Sequence, residues 1–190
     1  AQQLVEDVLK DFGSLDILIN NAGITKDNLL MRMSEDDFDQ VVEVNLKVTF
    51  LMCQIIGSYM AENGGGKIVN LPSTYSVVAP NQNIYKATNM GCPAAYSASK
   101  GGIIGMTLPI ARELARQRIR VNTIAPGLFE TPLLAGLPEE AKKSLIDSTL
   151  HPHRLGQPNE YGALVKHIYE NEMLNGETIR LDGSLRMAPK

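Results

Sequence analysis

The chain has 190 residues, a formal net charge of −3, 44% hydrophobic and 21% charged residues, and two cysteines. That length predicts one domain over residues 1–190 with a proper core, and the mild negative charge gives no electrostatic case for a nucleic-acid or anionic-membrane partner. No run of about 18 uninterrupted apolar residues occurs, so no membrane span is predicted, and no signal-peptide pattern opens the chain. Cys53 and Cys92 lack metal or redox spacing and fit free thiols in a reducing, cytoplasmic compartment.

Leu4, Val5, Val8, Leu9 and Phe12 recur at helical spacing and Gly13 follows as a stop, so the chain opens inside a helix with no strand before it. Residues 15–20 are a short continuous apolar run and predict a buried parallel strand. Asn20-Asn21-Ala22-Gly23 closes that run at the carboxyl end, where open α/β sheets bind ligands. Small residues there let a ligand approach the backbone; a plain strand-to-loop turn explains the same four residues. Ser34 is placed to cap the next helix, with Asp37 three residues on. Phe38, Val41, Val42, Leu46, Phe50, Leu51 and Met52 give an apolar side reaching about Met60. Asn45 is its odd polar member, and a satisfied interior Asn or a local bend would account for it. Gly64-Gly65-Gly66 follows a helix rather than a strand, which argues against a phosphate loop.

Residues 67–72 predict the next strand and leave Ser73 at its carboxyl end, with Ser76 nearby. Thr74 to Ala95 reads as a loop, and Tyr96 to about Gln117 as a helix. Pro109 predicts a kink in it, and Gly101, Gly102 and Gly105 make one side thin enough for another helix to approach. Residues 120–125 are a strand turned by Pro126-Gly127, and 138–147 a short polar helix suited to a substrate lid. Pro158 starts a helix to about Glu170, and Glu177 to Leu181 is the last strand. His151 and His153 lie two apart in a loop without a supporting ligand cluster, so no metal is predicted.

The pair that carries chemistry is Tyr96 and Lys100, four apart and therefore on one helix face. A free phenol has a pKa of about 10. A neighbouring ammonium favours the phenolate, so such a pair can exchange a proton with an alcohol or carbonyl. On its own the pair also suits an ordinary helix surface.

Asn20-Asn21-Ala22-Gly23, Asn45, Ser73, Tyr96-x-x-x-Lys100 and Pro126-Gly127 occur in this order, and together they resemble the short-chain dehydrogenase/reductase family over nearly the whole chain. The resemblance implies an α/β, Rossmann-like, doubly wound parallel sheet and an NAD- or NADP-dependent oxidoreductase. It implies Tyr96 as general acid and base, Lys100 lowering the Tyr96 pKa and binding the nicotinamide ribose, and Ser73 holding the substrate oxygen. Asn45 would hold a relay water through its backbone carbonyl. Asn20, Asn21, Ala22 and Gly23 would pack beside the adenosine half of the cofactor and brace the sheet. Pro126, Gly127, Leu128 and Phe129 would close over the nicotinamide, with Thr131 on its carboxamide. The helix that starts at Tyr96 would pack at a homodimer or homotetramer interface.

Within the family, Thr25 to Leu46 resembles bacterial 3-oxoacyl-(acyl-carrier-protein) reductases, and Gly105 to Met187 type-2 3-hydroxyacyl-CoA dehydrogenases. The implied substrate is an acyl-CoA or acyl-carrier-protein thioester of fatty acid metabolism. A loop from Ser73 to Tyr96 that is longer than usual by about ten residues keeps a sugar, polyol or steroid-like alcohol open as the alternative. The family's T-G-x-x-x-G-x-G turn, whose amides meet a pyrophosphate, has no match in the 190 residues. The expectation is the C-terminal two-thirds of the fold, lacking its first three strands and leaving residues 15–20 as an apolar edge. A non-catalytic subunit unable to bind cofactor alone is the alternative that follows.

Overall fold

The computed structural model describes residues 2–26, 28–78, 94–131, 134, 139–147 and 149–185. Its strands are β1 (Ile17–Asn20), β2 (Gly66–Asn70), β3 (Ile119–Pro126) and β4 (Thr178–Leu181), all parallel, in the spatial order β1-β2-β3-β4. Parallel neighbours need crossovers over a sheet face, and helices supply them: after α1 (Gln2–Phe12), which precedes β1, come α2 (Glu35–Val42), α3 (Val48–Glu62), α4 (Ala94–Leu114), α5 (Glu139–Asp147) and α6 (Pro158–Glu170). This is the α/β parallel architecture expected from the sequence. Boundaries shift by a residue or two: β1 starts at Ile17, β2 ends at Asn70 rather than at 72, and α4 starts at Ala94. Residues 79–93 of the expected loop, Cys92 among them, lie outside the described residues.

Alternation along the strands divides the core between two faces. On one, Leu18, Ile68 and Val121 pack with Val5 of α1, Met60 of α3 and Ala111 of α4. On the other, Val69 and Ile124 pack against Ile168 of α6. α6 does not reach β1. Ile17 and Ile19 share Val69's face and stay 44% and 46% exposed, so the expected buried strand is buried on one face only.

The stretch Glu35–Glu62 is, by length and composition, long and apolar enough to cross a membrane. A test for uninterrupted apolar runs does not detect it, because single polar residues break the run. Its apolar side lies on the sheet, where Cys53, Ile56 and Met60 are buried. Ser34 caps it as expected, with Oγ accepting from Asp37 N at 3.1 Å. The Asp37 carboxylate pairs with Lys26 at 3.4 Å.

Arg120 fastens α6 to β3. Its Nη1 donates to the carbonyls of Ile168 (2.8 Å), Asn171 (3.0 Å) and Leu174 (2.8 Å), and Nη2 to that of Tyr169 (2.8 Å). The last carbonyls of a helix lack helical partners, and a cation suits that end of the dipole. Arg120→Met is expected to lower the unfolding free energy by about 2–4 kcal/mol, several charge-assisted bonds being lost together. Urea denaturation measures it; a loss under about 0.5 kcal/mol would mean that water replaces the guanidinium fully.

Candidate active site

The carboxyl ends of β1 and β2 meet the first turns of α4. Lys100 is 4% exposed, and its Nζ donates to the Leu71 carbonyl at 2.7 Å. The same nitrogen lies 5.9 Å from the centroid of the Tyr96 ring, one turn back on α4. Burial lowers the Lys100 pKa from 10.5 to about 8. At neutral pH the group is still mostly ammonium, in a place where water screens it poorly.

Asn45 explains why the long helix is irregular. The segment Glu43–Lys47 is a π-helical turn between α2 and α3, and Asn45 in it is fully buried. Its Oδ1 accepts from Ile24 N at 2.8 Å, and its Nδ2 donates to Ile24 O at 3.0 Å and to Ser99 Oγ at 3.0 Å. The amide thus pairs with a loop backbone as a neighbouring strand would. A π turn is a frequent way to present such a group. The Asn45 carbonyl accepts from Thr49 Oγ1 at 2.7 Å.

This clamp sets the loop after β1. A Cβ at Gly23 would lie 3.2 Å from both Asn45 Oδ1 and Lys100 Nζ, so only glycine fits there without displacing them. Asn21, Ala22 and Gly23 are exposed, while Asn20 is buried. Asn20 turns inward, where Nδ2 donates to Asn70 Oδ1 at 2.8 Å and meets Cys53 Sγ at 3.4 Å. The two asparagines are register partners across β1 and β2. Asn20 therefore braces the sheet, and the backbone of Asn21 to Gly23 is the surface open to a ligand.

Ser73 stands three residues beyond the end of β2 and caps a 3-10 turn, Thr74–Ser76. Its Oγ accepts from Tyr75 N at 3.2 Å, which leaves the hydroxyl proton for an outside acceptor. Ser76 is occupied by the same cap, its Oγ accepting from Ser73 N at 3.2 Å. Thr74 Oγ1 donates to Pro126 O at 2.8 Å and so ties this turn to the turn after β3. The 3-10 turn also packs on α4.

Pro126 is the last residue of β3, and Gly127 N donates to Leu181 O at 2.9 Å. Phe129 bridges to Gly156 and stacks edge-on against Tyr161, centroids 6.2 Å apart. Leu128 and Phe129 line a cavity of about 80 Å³ together with Thr149, Arg154 and Gly156; Tyr96 and Lys100 take no part in it. Thr131 is exposed, with Oγ1 accepting from Leu134 N at 3.4 Å. Among the described residues no group of three or more His, Cys, Asp or Glu is placed to hold a metal. His153 Nδ1 meets Thr149 O at 2.9 Å.

The structure thus joins Gly23, Asn45, Tyr96 and Lys100 in one cluster, and ties the turn that Ser73 caps to Pro126 through Thr74, beside α4. Two members have no sequence signal of function. Ser99 reads as a spacer between Tyr96 and Lys100, and Thr74 as the first residue of a loop. Their roles depend on bonds to partners 54 and 52 residues away.

A parallel α/β sheet with a half-buried Tyr beside a buried Lys at its carboxyl edge defines a class, the dehydrogenases that work on an alcohol and its carbonyl. The chain belongs to the short-chain dehydrogenase family, whose model matches residues 1–142. It is 46% identical over 187 residues to 3-hydroxyacyl-CoA dehydrogenase type-2 of Homo sapiens, covering 94% of this chain and 69% of that protein. It is 45% identical over 192 residues to the protein of that name from Drosophila melanogaster, covering 94% and 71%. It is also 41% identical over 187 residues to 3-oxoacyl-(acyl-carrier-protein) reductase FabG of Thermotoga maritima, covering 97% and 71%. It is therefore an oxidoreductase of the class that uses NAD or NADP.

Proposed function

We propose that this oxidoreductase interconverts a 3-oxoacyl and a 3-hydroxyacyl thioester carried on coenzyme A or acyl-carrier protein. The observation that carries the reading is the buried Lys100 amine, held by Leu71 O and facing the Tyr96 ring. The names of relatives from two enzyme groups support the substrate class.

The residues present fit the nicotinamide-ribose half of a dinucleotide. An amine and hydroxyls complement ribose hydroxyls, and Gly23 leaves the backbone of its loop close to the Lys100 amine. Tyr96, Lys100, Pro126 to Phe129 and Thr131 would hold it, with Asn21 to Gly23 beside the adenosine half. When bound, the dinucleotide supplies the hydride chemistry. Tyr96 Oη gives its proton to the substrate oxygen in reduction and takes it back in oxidation. The Lys100 ammonium stabilises the phenolate that results. Ser73 Oγ donates to the substrate oxygen as negative charge develops there. Asn45 O holds a water from which Lys100 is resupplied with protons.

Val48 and Phe50 on α3 and Leu108 on α4 are 37%, 46% and 53% exposed, which supports a homo-oligomer built through these helices. The buried free thiol of Cys53 fits a reducing, cytoplasmic setting.

The test is titration of the purified chain with NADH and NADPH by cofactor fluorescence, with oligomeric state measured in the same buffer. Turnover of a 3-oxoacyl thioester is then compared with a panel of sugars and polyols. Saturable binding and preference for the thioester are expected. Preference for a polyol would replace the substrate class, and failure to bind either cofactor would defeat the reading.

A further inference from the structure

Ser99 lies between Tyr96 and Lys100 in the chain, and its hydroxyl joins three separate elements. The residue is 1% exposed. Its Oγ donates to the Tyr96 carbonyl at 2.9 Å and accepts from Asn45 Nδ2 at 3.0 Å. Donation to a carbonyl one turn back is ordinary for a helical serine. The bond from Asn45 is not local: it crosses 54 residues of sequence, and its donor is fixed in turn to both backbone groups of Ile24. The loop after β1, the π turn and the first turn of α4 therefore share one hydroxyl.

That hydroxyl is engaged once as donor and once as acceptor. Without it, Asn45 Nδ2 keeps Ile24 O as an acceptor and has a second N–H with none, in a residue with no exposed surface. A buried orphan donor costs about 1–3 kcal/mol. The relief open to the site is rotation of the Asn45 amide or a shift of the α4 turn. A shift of the α4 turn carries Tyr96 with it, and in either case the Tyr96 carbonyl loses the same hydroxyl.

From this we infer that Ser99 is a positioning residue, which through Asn45 and the Tyr96 carbonyl sets where the Tyr96 phenol stands beside Lys100. It touches neither substrate nor cofactor. The inference rests on the reading of Tyr96 as the acid-base group.

The experiment uses the intact chain labelled with ζ-¹³C tyrosine, with the Tyr96 resonance identified by its loss in Tyr96→Phe. Ser99→Ala is expected to displace that resonance and its titration midpoint, and Ser99→Thr to restore both. In turnover, Ser99→Ala is expected to lower kcat about tenfold or more, with KM and cofactor Kd within about twofold, as a misplaced reacting group does. A Tyr96 signal that titrates unchanged in Ser99→Ala overturns the inference. Should the alanine variant not fold, Ser99→Cys fills the space with a weaker donor and is judged by the same spectrum and the same two outcomes. The spectral readout does not need activity. A displaced signal in a chain without oxidoreductase turnover would sink the proposed function and leave the role of Ser99 standing; an undisturbed signal with turnover intact would do the reverse.

Discussion

Tyr96→Phe is expected to lower kcat for 3-oxoacyl thioester reduction by about 10²- to 10⁴-fold, the range that general acid-base catalysis contributes. The substitution removes one oxygen and keeps the ring. The contact between Lys100 Nζ and that ring, 5.9 Å from the centroid, survives, and so does the bond from Lys100 to Leu71 O. Cofactor affinity and thermal midpoint should therefore stay close to those of the parent chain. The loss should fall on kcat, because the phenol acts on the reacting oxygen rather than on ground-state binding. Steady-state kinetics with the reduced cofactor and a short 3-oxoacyl thioester measures it. An unchanged kcat would remove Tyr96 from the acid-base role and shift it to Ser73, whose hydroxyl proton has an open direction.

The elements were legible where a signal is local. Pro158 to Glu170 is a helix at the expected limits, because Pro suits a first turn and the apolar spacing is regular. Gly13 and the run Gly64-Gly65-Gly66 end helices as expected, with positive φ at Gly13, Gly64 and Gly65. Strand ends were less legible. β2 stops at Asn70 because its ladder stops there, and an apolar run of sequence carries no such information.

The site was legible as residue types and not as a network. Asn45 stood out as polar on an apolar side, and the anticipated local bend is the π turn. Its pairing with Ile24 needs a loop 21 residues upstream to fold back onto it, which no spacing rule reveals. Asn20 was read both as a cofactor neighbour and as a brace of the sheet, and it is buried on Asn70, 50 residues on. Arg120 falls in the strand expected over residues 120–125. Its acceptors are backbone carbonyls, which leave no mark in the sequence.

Lys100→Met is expected to abolish most of the turnover and, at pH 7, to stabilise the fold. The reason is that the lysine is placed for chemistry at a cost to stability. Burial takes its pKa from 10.5 to about 8, which at about 1.4 kcal/mol per pH unit is a penalty of order 3 kcal/mol on the charged form. Losing the bond to Leu71 O returns about 1–2 kcal/mol of that, so the net gain in the variant is of order 1–2 kcal/mol. The pH dependence fixes the cause. The folded chain releases the Lys100 proton near pH 8 and the unfolded chain near 10.5. Between these values the unfolded state binds more protons, so rising pH favours the folded parent and narrows its gap to the variant. Cys53 works in the opposite direction, since burial raises its thiol to about 11 and the folded state holds that proton longer. Both chains carry Cys53, so the difference between them isolates Lys100. Urea midpoints for the two proteins at pH 7, 8 and 9 measure it. The variant should lead at pH 7 and its lead should shrink from pH 8 to pH 9. A lead that holds constant would mean that Lys100 stays charged in the fold, and a variant less stable at pH 7 would mean that the amine is structural as well as chemical.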